Sequence, residues 1–203
     1  MSFAQTLSLA FVMVAGPQIL SSIFLATSKE WKANSFLFCF GALLAVALIF
    51  TAGFLLSDGA SNQGAPDSTI SIIIVVLLVL AAIHTFLTRK TAKPPKWMGK
   101  LEDANPKFSF KLGFLLLGFF PTDLLTSFSL GALAASQDEP WTSGLGFILL
   151  TVLLLALPVL GLLAFGERAE RALPKVRDWM NANSWIISEI VIALFIVITA
   201  GNI

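Results

Sequence analysis

Two residue types that carry much of protein chemistry are almost missing from this chain. Its 203 residues include one cysteine, Cys39, and one histidine, His84. One cysteine cannot close a disulfide within the chain, and it excludes cysteine metal clusters and CxxC redox pairs. One histidine excludes a multi-histidine metal site. There is no glycine-rich phosphate loop with its lysine and no nucleophile elbow. An enzyme is therefore not expected, nor a metal or other cofactor. Charge is scarce as well, at 12% of residues, about half the usual share. The net charge of +1 says nothing about partners by itself, so what counts is where the charges sit; no nucleic-acid partner is expected.

What fills the chain is apolar sequence. Apolar residues make up 57% and the mean hydropathy is +0.87, values of a multi-pass integral membrane protein rather than a soluble domain. Six runs approach or exceed the roughly 20 residues needed to cross a bilayer. They cover residues 3–27, 35–56, 69–88, 110–135, 143–165 and 185–201. Met1-Ser2 leads straight into the first run without a basic segment or a small-residue cleavage pattern. That run is read as a retained span, not a signal peptide.

The linkers give the orientation. Lys29 and Lys32 follow the first run; Arg89, Lys90, Lys93, Lys96, Lys100, Lys107 and Lys111 lie around the third linker; Arg168, Arg171, Lys175 and Arg177 fill the fifth. These are all 13 basic residues. The second and fourth linkers carry only acids: Asp58 and Asp67, then Asp138 and Glu139. The positive-inside rule makes the odd-numbered linkers cytoplasmic and puts both termini outside.

Three spans per half is an odd number, so the second half enters the membrane from the opposite side. The expected fold is all-α: six transmembrane helices forming two inverted three-helix repeats. The first repeat covers 1–90, a cytoplasmic linker 91–109, and the second repeat 110–203. Each repeat opens on a run broken by proline, at Ala15-Gly16-Pro17-Gln18 and at Phe119-Phe120-Pro121-Thr122-Asp123. Pro17, Leu20 and Phe24 match Pro121, Leu124 and Phe128 at one constant offset. Proline removes a backbone hydrogen bond, and hydrocarbon tolerates the freed carbonyl only beside protein or a wet cavity. Helices 1 and 4 are thus expected to be broken, with a transport site between them.

The linker 91–109 contains Pro94-Pro95, Trp97 and Asn105-Pro106 and reads as an extended segment on the membrane surface. In the fifth linker, Ala169, Ala172, Leu173, Val176, Trp179 and Met180 share one helical face. This predicts an interfacial amphipathic helix over 168–180, which Pro174 is expected to break or restart. The lysines and arginines of both linkers face lipid headgroups.

Ionisable groups inside a membrane are costly and become site candidates by default. Asp123 is the sharpest, two residues after Pro121 and next to Thr122. Pro17, Gln18, Ser21 and Ser22 are its counterparts in the first run, and Thr126 adds a hydroxyl one turn on. These residues are expected to line one substrate or ion site. Glu189, about one turn inside the sixth run, and His84, at the end of the third, are candidates for a proton relay. The bland alternatives are a protonated acid bonded to a neighbouring helix for Asp123, and interfacial side chains for the other two.

The glycine-spaced run Gly113-Phe-Leu-Leu-Leu-Gly118-Phe-Phe-Pro121-Thr122-Asp123-Leu124-Leu125, closing on Gly131-Ala-Leu-Ala-Ala, resembles the fourth span of the GAP family. That family includes the sulfolipid-1-addressing protein and belongs to the LysE transporter superfamily. Pro95-Lys96-Trp97-Met98-Gly99-Lys100-Leu101, Gly166-Glu167-Arg168-Ala169-Glu170-Arg171, Val176-Arg177-Asp178-Trp179, Ala15-Gly16-Pro17 and Phe40-Gly41 also fit, so the resemblance covers nearly the whole chain. The family pattern at the break is Asn-Pro-Lys-Asn-Leu. Here Phe120 stands for the asparagine, and Thr122 and Asp123 for the lysine and asparagine. The resemblance implies six spans and export of envelope lipids or glycolipids from the cytoplasmic membrane.

The expected function is therefore an exporter of an amphipathic envelope component, with proton coupling through Asp123 as an extension. The alternatives are a small-cation exporter and a non-transporting accessory subunit of a larger lipid export machine. Expected partners are membrane lipids, the amphipathic or small-ion substrate, and either an export complex or further copies of the chain. The electron conduits of the same superfamily need paired cysteines, which are absent here.

Overall fold

The computed structural model describes residues 3–57, 101, 103–183, 186 and 193. The third run, almost all of the sixth, and both His84 and Glu189 lie outside the described residues. So do residues 91–100 of the third linker. The described residues are helical: α1 (Phe3–Val14), α2 (Pro17–Ala26), α3 (Trp31–Ser57), α4 (Pro106–Phe119), α5 (Pro121–Ser136), α6 (Leu145–Phe165) and α7 (Glu167–Ala182). A short 3-10 turn, Trp141–Gly144, leads into α6. Among them, α3, and α6 together with that turn, are long and apolar enough to cross a membrane. The pairs α1–α2 and α4–α5 pass the same test jointly as broken spans, which gives up to four.

Both pairs bend by 67°, but by different local means. α1 closes with Ala15 N–H donating to Phe11 O. Gly16 then takes φ 110°, ψ −138°, a backbone geometry that a side chain would resist. Pro17 starts α2 at a position where its missing N–H leaves nothing unmade. At the other break Phe120 is extended, φ −67° and ψ 126°, as residues before proline prefer. Pro121 then starts α5. Neither proline kinks a continuous helix; each begins a new one.

Two boundaries differ from the sequence reading. α4 starts at Pro106, inside the linker expected to be extended, because Asn105 Oδ1 caps it by accepting from Phe108 N–H at 2.9 Å. α7 runs from Glu167 to Ala182 through Pro174 without a break. Pro174 frees the carbonyl of Glu170, an exposed residue, where water can satisfy it.

α3 forms the centre. It packs along both halves of the second broken pair, while α6 packs along both halves of the first. α1 also touches α5, and α2 touches α4. Two glycine crossings seat α3. A Cβ on Gly41 would strike the Phe110 carbonyl and one on Gly113 the Phe38 carbonyl. Further along, Gly53 faces the Phe128 carbonyl and Gly131 the Phe50 carbonyl in the same way. Small residues at these points let the backbones meet where lipid gives no hydrophobic drive for association. Phe38, Ala42, Val46 and Phe50 are fully buried along this face. Trp141 pins the far end: its ring meets Phe50 edge-on at 6.2 Å, and its Nε1–H donates to Thr51 Oγ1 at 2.9 Å.

Candidate functional site at the two helix breaks

The breaks meet. Gln18, in the first turn of α2, donates from Nε2 to Asp123 Oδ2 at 2.6 Å. Asp123 lies in the first turn of α5. Each of these residues is only 1% exposed, so the bond is shielded from water. Thr122 Oγ1 donates to the other carboxylate oxygen, Oδ1, at 3.2 Å. The α5 amino terminus, positive by its dipole, lies beside the same carboxylate.

The amide orientation follows from the partner. A carboxylate only accepts, so the Gln18 NH2 faces it and Oε1 faces away. That oxygen is buried and has no hydrogen-bond partner among the described residues. Its neighbour is Gly16, where an added Cβ would lie 3.4 Å from Oε1. Beside Gly16 opens an apolar groove of about 240 Å³ between α1, α2 and α6, lined by Val14, Ala15, Ile19, Leu154 and Leu157 among others.

The remaining candidates do not join this pair. Ser21 Oγ donates to Pro17 O at 2.6 Å, within its own helix. Ser22 Oγ donates to Leu155 O, which ties α2 to α6. Thr126 Oγ1 donates to Thr122 O at 2.7 Å. Pro17 and Pro121 shape the breaks, each starting a helix.

Sequence reasoning missed two polar contacts. Ser127, one turn beyond Asp123 and fully buried, points its hydroxyl at Met13 Sδ, 4.0 Å away on α1. Asn34, also fully buried, holds the linker side together. Its Nδ2 donates to Ser28 Oγ at 2.8 Å and to Ala104 O at 2.9 Å, and its Oδ1 accepts from Ser109 Oγ at 3.1 Å. The only available signal was an amide and a hydroxyl near the ends of apolar runs. On the same side α7 carries exposed Val176 and Trp179, and Arg177 lies over the Phe24 ring at 5.1 Å.

The family model for Sap, the sulfolipid-1-addressing protein, matches residues 6–202. The chain belongs to this family. The match spans both broken pairs and every residue of the polar contact, so the site described here lies within the family's core and not in an appendage. No curated protein and no solved structure matches the chain.

Proposed function

We propose that this protein exports an amphipathic envelope lipid or glycolipid across the cytoplasmic membrane, in the manner of LysE-superfamily transporters. The observation that carries the reading is the buried Gln18–Asp123 hydrogen bond joining the two helix breaks. Buried polar pairs between discontinuous helices are where secondary transporters bind substrate and coupling ions. The family's name, that of a protein addressing a sulfolipid, supports a lipid cargo.

The packing supports two inverted repeats, 1–90 and 110–203 joined by 91–109. An exchange of α1–α2 with α4–α5 and of α3 with α6 turns the main helix contacts into others that are present, the α2–α3 packing excepted. α3 on α4–α5 becomes α6 on α1–α2, and α1 on α5 becomes α4 on α2. Alternating access then consists of one broken pair and its partner rocking against the other, with the Gln18–Asp123 bond made and released between them. Proton coupling through Asp123 belongs to the same reading.

The test is flux in proteoliposomes of the pure protein, wild type against Asp123→Asn, under an imposed pH gradient with labelled-lipid and cation reporters. Lipid movement lost in the variant is the expected result. Cation movement alone favours a small-ion exporter, which the buried acid at the break also fits. No flux of either kind points to an accessory subunit of a larger machine.

A further inference from the structure

We propose that the site at the breaks takes a head group that donates hydrogen bonds and bears no negative charge. This rests on the exporter reading and narrows its substrate class. The polar atoms offered there are acceptors. One is the Asp123 carboxylate; another is Gln18 Oε1, buried, without a partner among the described residues, and next to Gly16. A buried acceptor left unmade costs about 1–3 kcal/mol, which a ligand O–H or N–H would recover. No cation answers an anionic head group. In the whole sequence the six apolar runs contain a single basic residue, Lys111, and it lies at the start of the fourth. The positive end of α5 is already met by Asp123 in its own first turn. A phosphate or sulfate brought to this depth would face a carboxylate and a carbonyl oxygen, and repulsion in a low-dielectric site is severe, so the head group proposed here differs from the sulfated one in the family's name. The adjoining groove beside Ala15 and Ile19 is apolar and suits the tail of the same molecule.

Two sources share the donor chemistry: sugar hydroxyls and a protonated amine. The experiment is native mass spectrometry of the intact protein with three lipids of matched chains: a glucosyl diacylglycerol, a long-chain primary amine and phosphatidic acid. Wild type is compared with Gln18→Met and Asp123→Asn. The expected result is about tenfold weaker binding of at least one donor-headed lipid in Gln18→Met, equal to about 1.4 kcal/mol. Phosphatidic acid, held by the basic linkers, is expected to bind the variant as it binds wild type. Asp123→Asn separates the sources, because an amine needs the charge whereas a hydroxyl still finds the amide oxygen. If phosphatidic acid binding falls with Gln18→Met as much as the others, or neither donor-headed lipid responds to either variant, the proposal is wrong. Flux keeps the two readings apart. Asp123-dependent movement of phosphatidic acid alone would overturn the head-group inference and leave the exporter. The expected binding pattern without flux would do the reverse.

Discussion

Adding one methyl group at a glycine crossing tests how α3 is seated. In Gly113→Ala the new Cβ meets the Phe38 carbonyl, and in Gly131→Ala it meets the Phe50 carbonyl. Both obstacles are backbone, so neither can swing aside as a side-chain tip would, and the helices must separate. Overpacking of this kind costs about 1–3 kcal/mol. Alanine also favours a helix over glycine by about 0.8–1.0 kcal/mol, which would mask part of the cost. Gly161→Ala in α6 supplies the control, because a Cβ there meets nothing within 4 Å among the described residues. The propensity gain cancels between variant and control, leaving the overpacking cost. At about 2–4 °C per kcal/mol for a chain of this size, Gly113→Ala should melt roughly 2–12 °C below Gly161→Ala. Tryptophan fluorescence in mild detergent reads it. Gly41 and Gly113 share one crossing, so their double variant should be less damaging than the sum by about 0.5–3 kcal/mol. Gly41 and Gly53 stand about 18 Å apart along α3, and their effects should add. Equal melting of Gly113→Ala, Gly131→Ala and Gly161→Ala would refute the seating of α3 on α4 and α5.

Asn34→Ala leaves the Ala104 carbonyl without its side-chain donor and removes the bonds to Ser28 and Ser109, and should lower stability by about 1–3 kcal/mol; a melting curve matching wild type would remove Asn34 from any structural role. Asp123→Leu leaves the whole Gln18 amide unpaired and should cost a similar amount. Asp123→Asn, which can still pair with that amide, should lie closer to wild type, and the reverse order would mean the pair is not bonded. Trp141→Phe keeps the ring against Phe50 but loses the bond to Thr51, a change of about 0.5–1.5 kcal/mol by the same melting assay. Lys29→Ala removes a 3.4 Å pair with Asp103 between side chains 88% and 82% exposed. No measurable change is expected from so solvated a contact.

The breaks were legible because proline inside an apolar run has few tolerable meanings. The meeting of Gln18 with Asp123 was legible because each lies just after its proline on the polar side of the break. The partners of two hydroxyls are local: serine and threonine in an apolar helix readily bond the carbonyl one turn back, as Ser21 and Thr126 do. The glycines were recognised as packing residues, but the pairing of Gly41 with Gly113 and Gly53 with Gly131 depends on how α3 crosses the second broken span. That crossing joins residues 72 and 78 positions apart, as the differences 113 − 41 and 131 − 53 give, and no periodicity announces it. The Asn34–Ser109 bond was hidden likewise by its separation of 75 residues.

On the export reading proposed above, the direction of the Gln18 amide would connect the proton to the head group. With Asp123 ionised, the amide NH2 is held by the carboxylate and Oε1 is offered to a ligand. A protonated Asp123 carries an O–H that can donate. The amide can then turn, present Oε1 to the acid, and offer its NH2 beside Gly16. The acceptor that a donor head group needs would thereby be withdrawn, so on this reading binding a proton and binding the substrate would oppose one another, as proton-driven export requires. Affinity for a donor-headed lipid should accordingly be greatest when Asp123 is ionised and fall as acid is added. Thr122 contacts the other carboxylate oxygen and does not titrate. Lipid binding measured against pH in wild type, Asp123→Asn and Gln18→Met checks the linkage. For a sugar-headed lipid both variants should lose the dependence, the first because no proton binds and the second because no amide remains to turn, whereas an amine lipid should still follow the Asp123 charge in Gln18→Met. A pH dependence for the sugar-headed lipid that survives Gln18→Met would mean that the proton acts on the substrate by some route other than this amide.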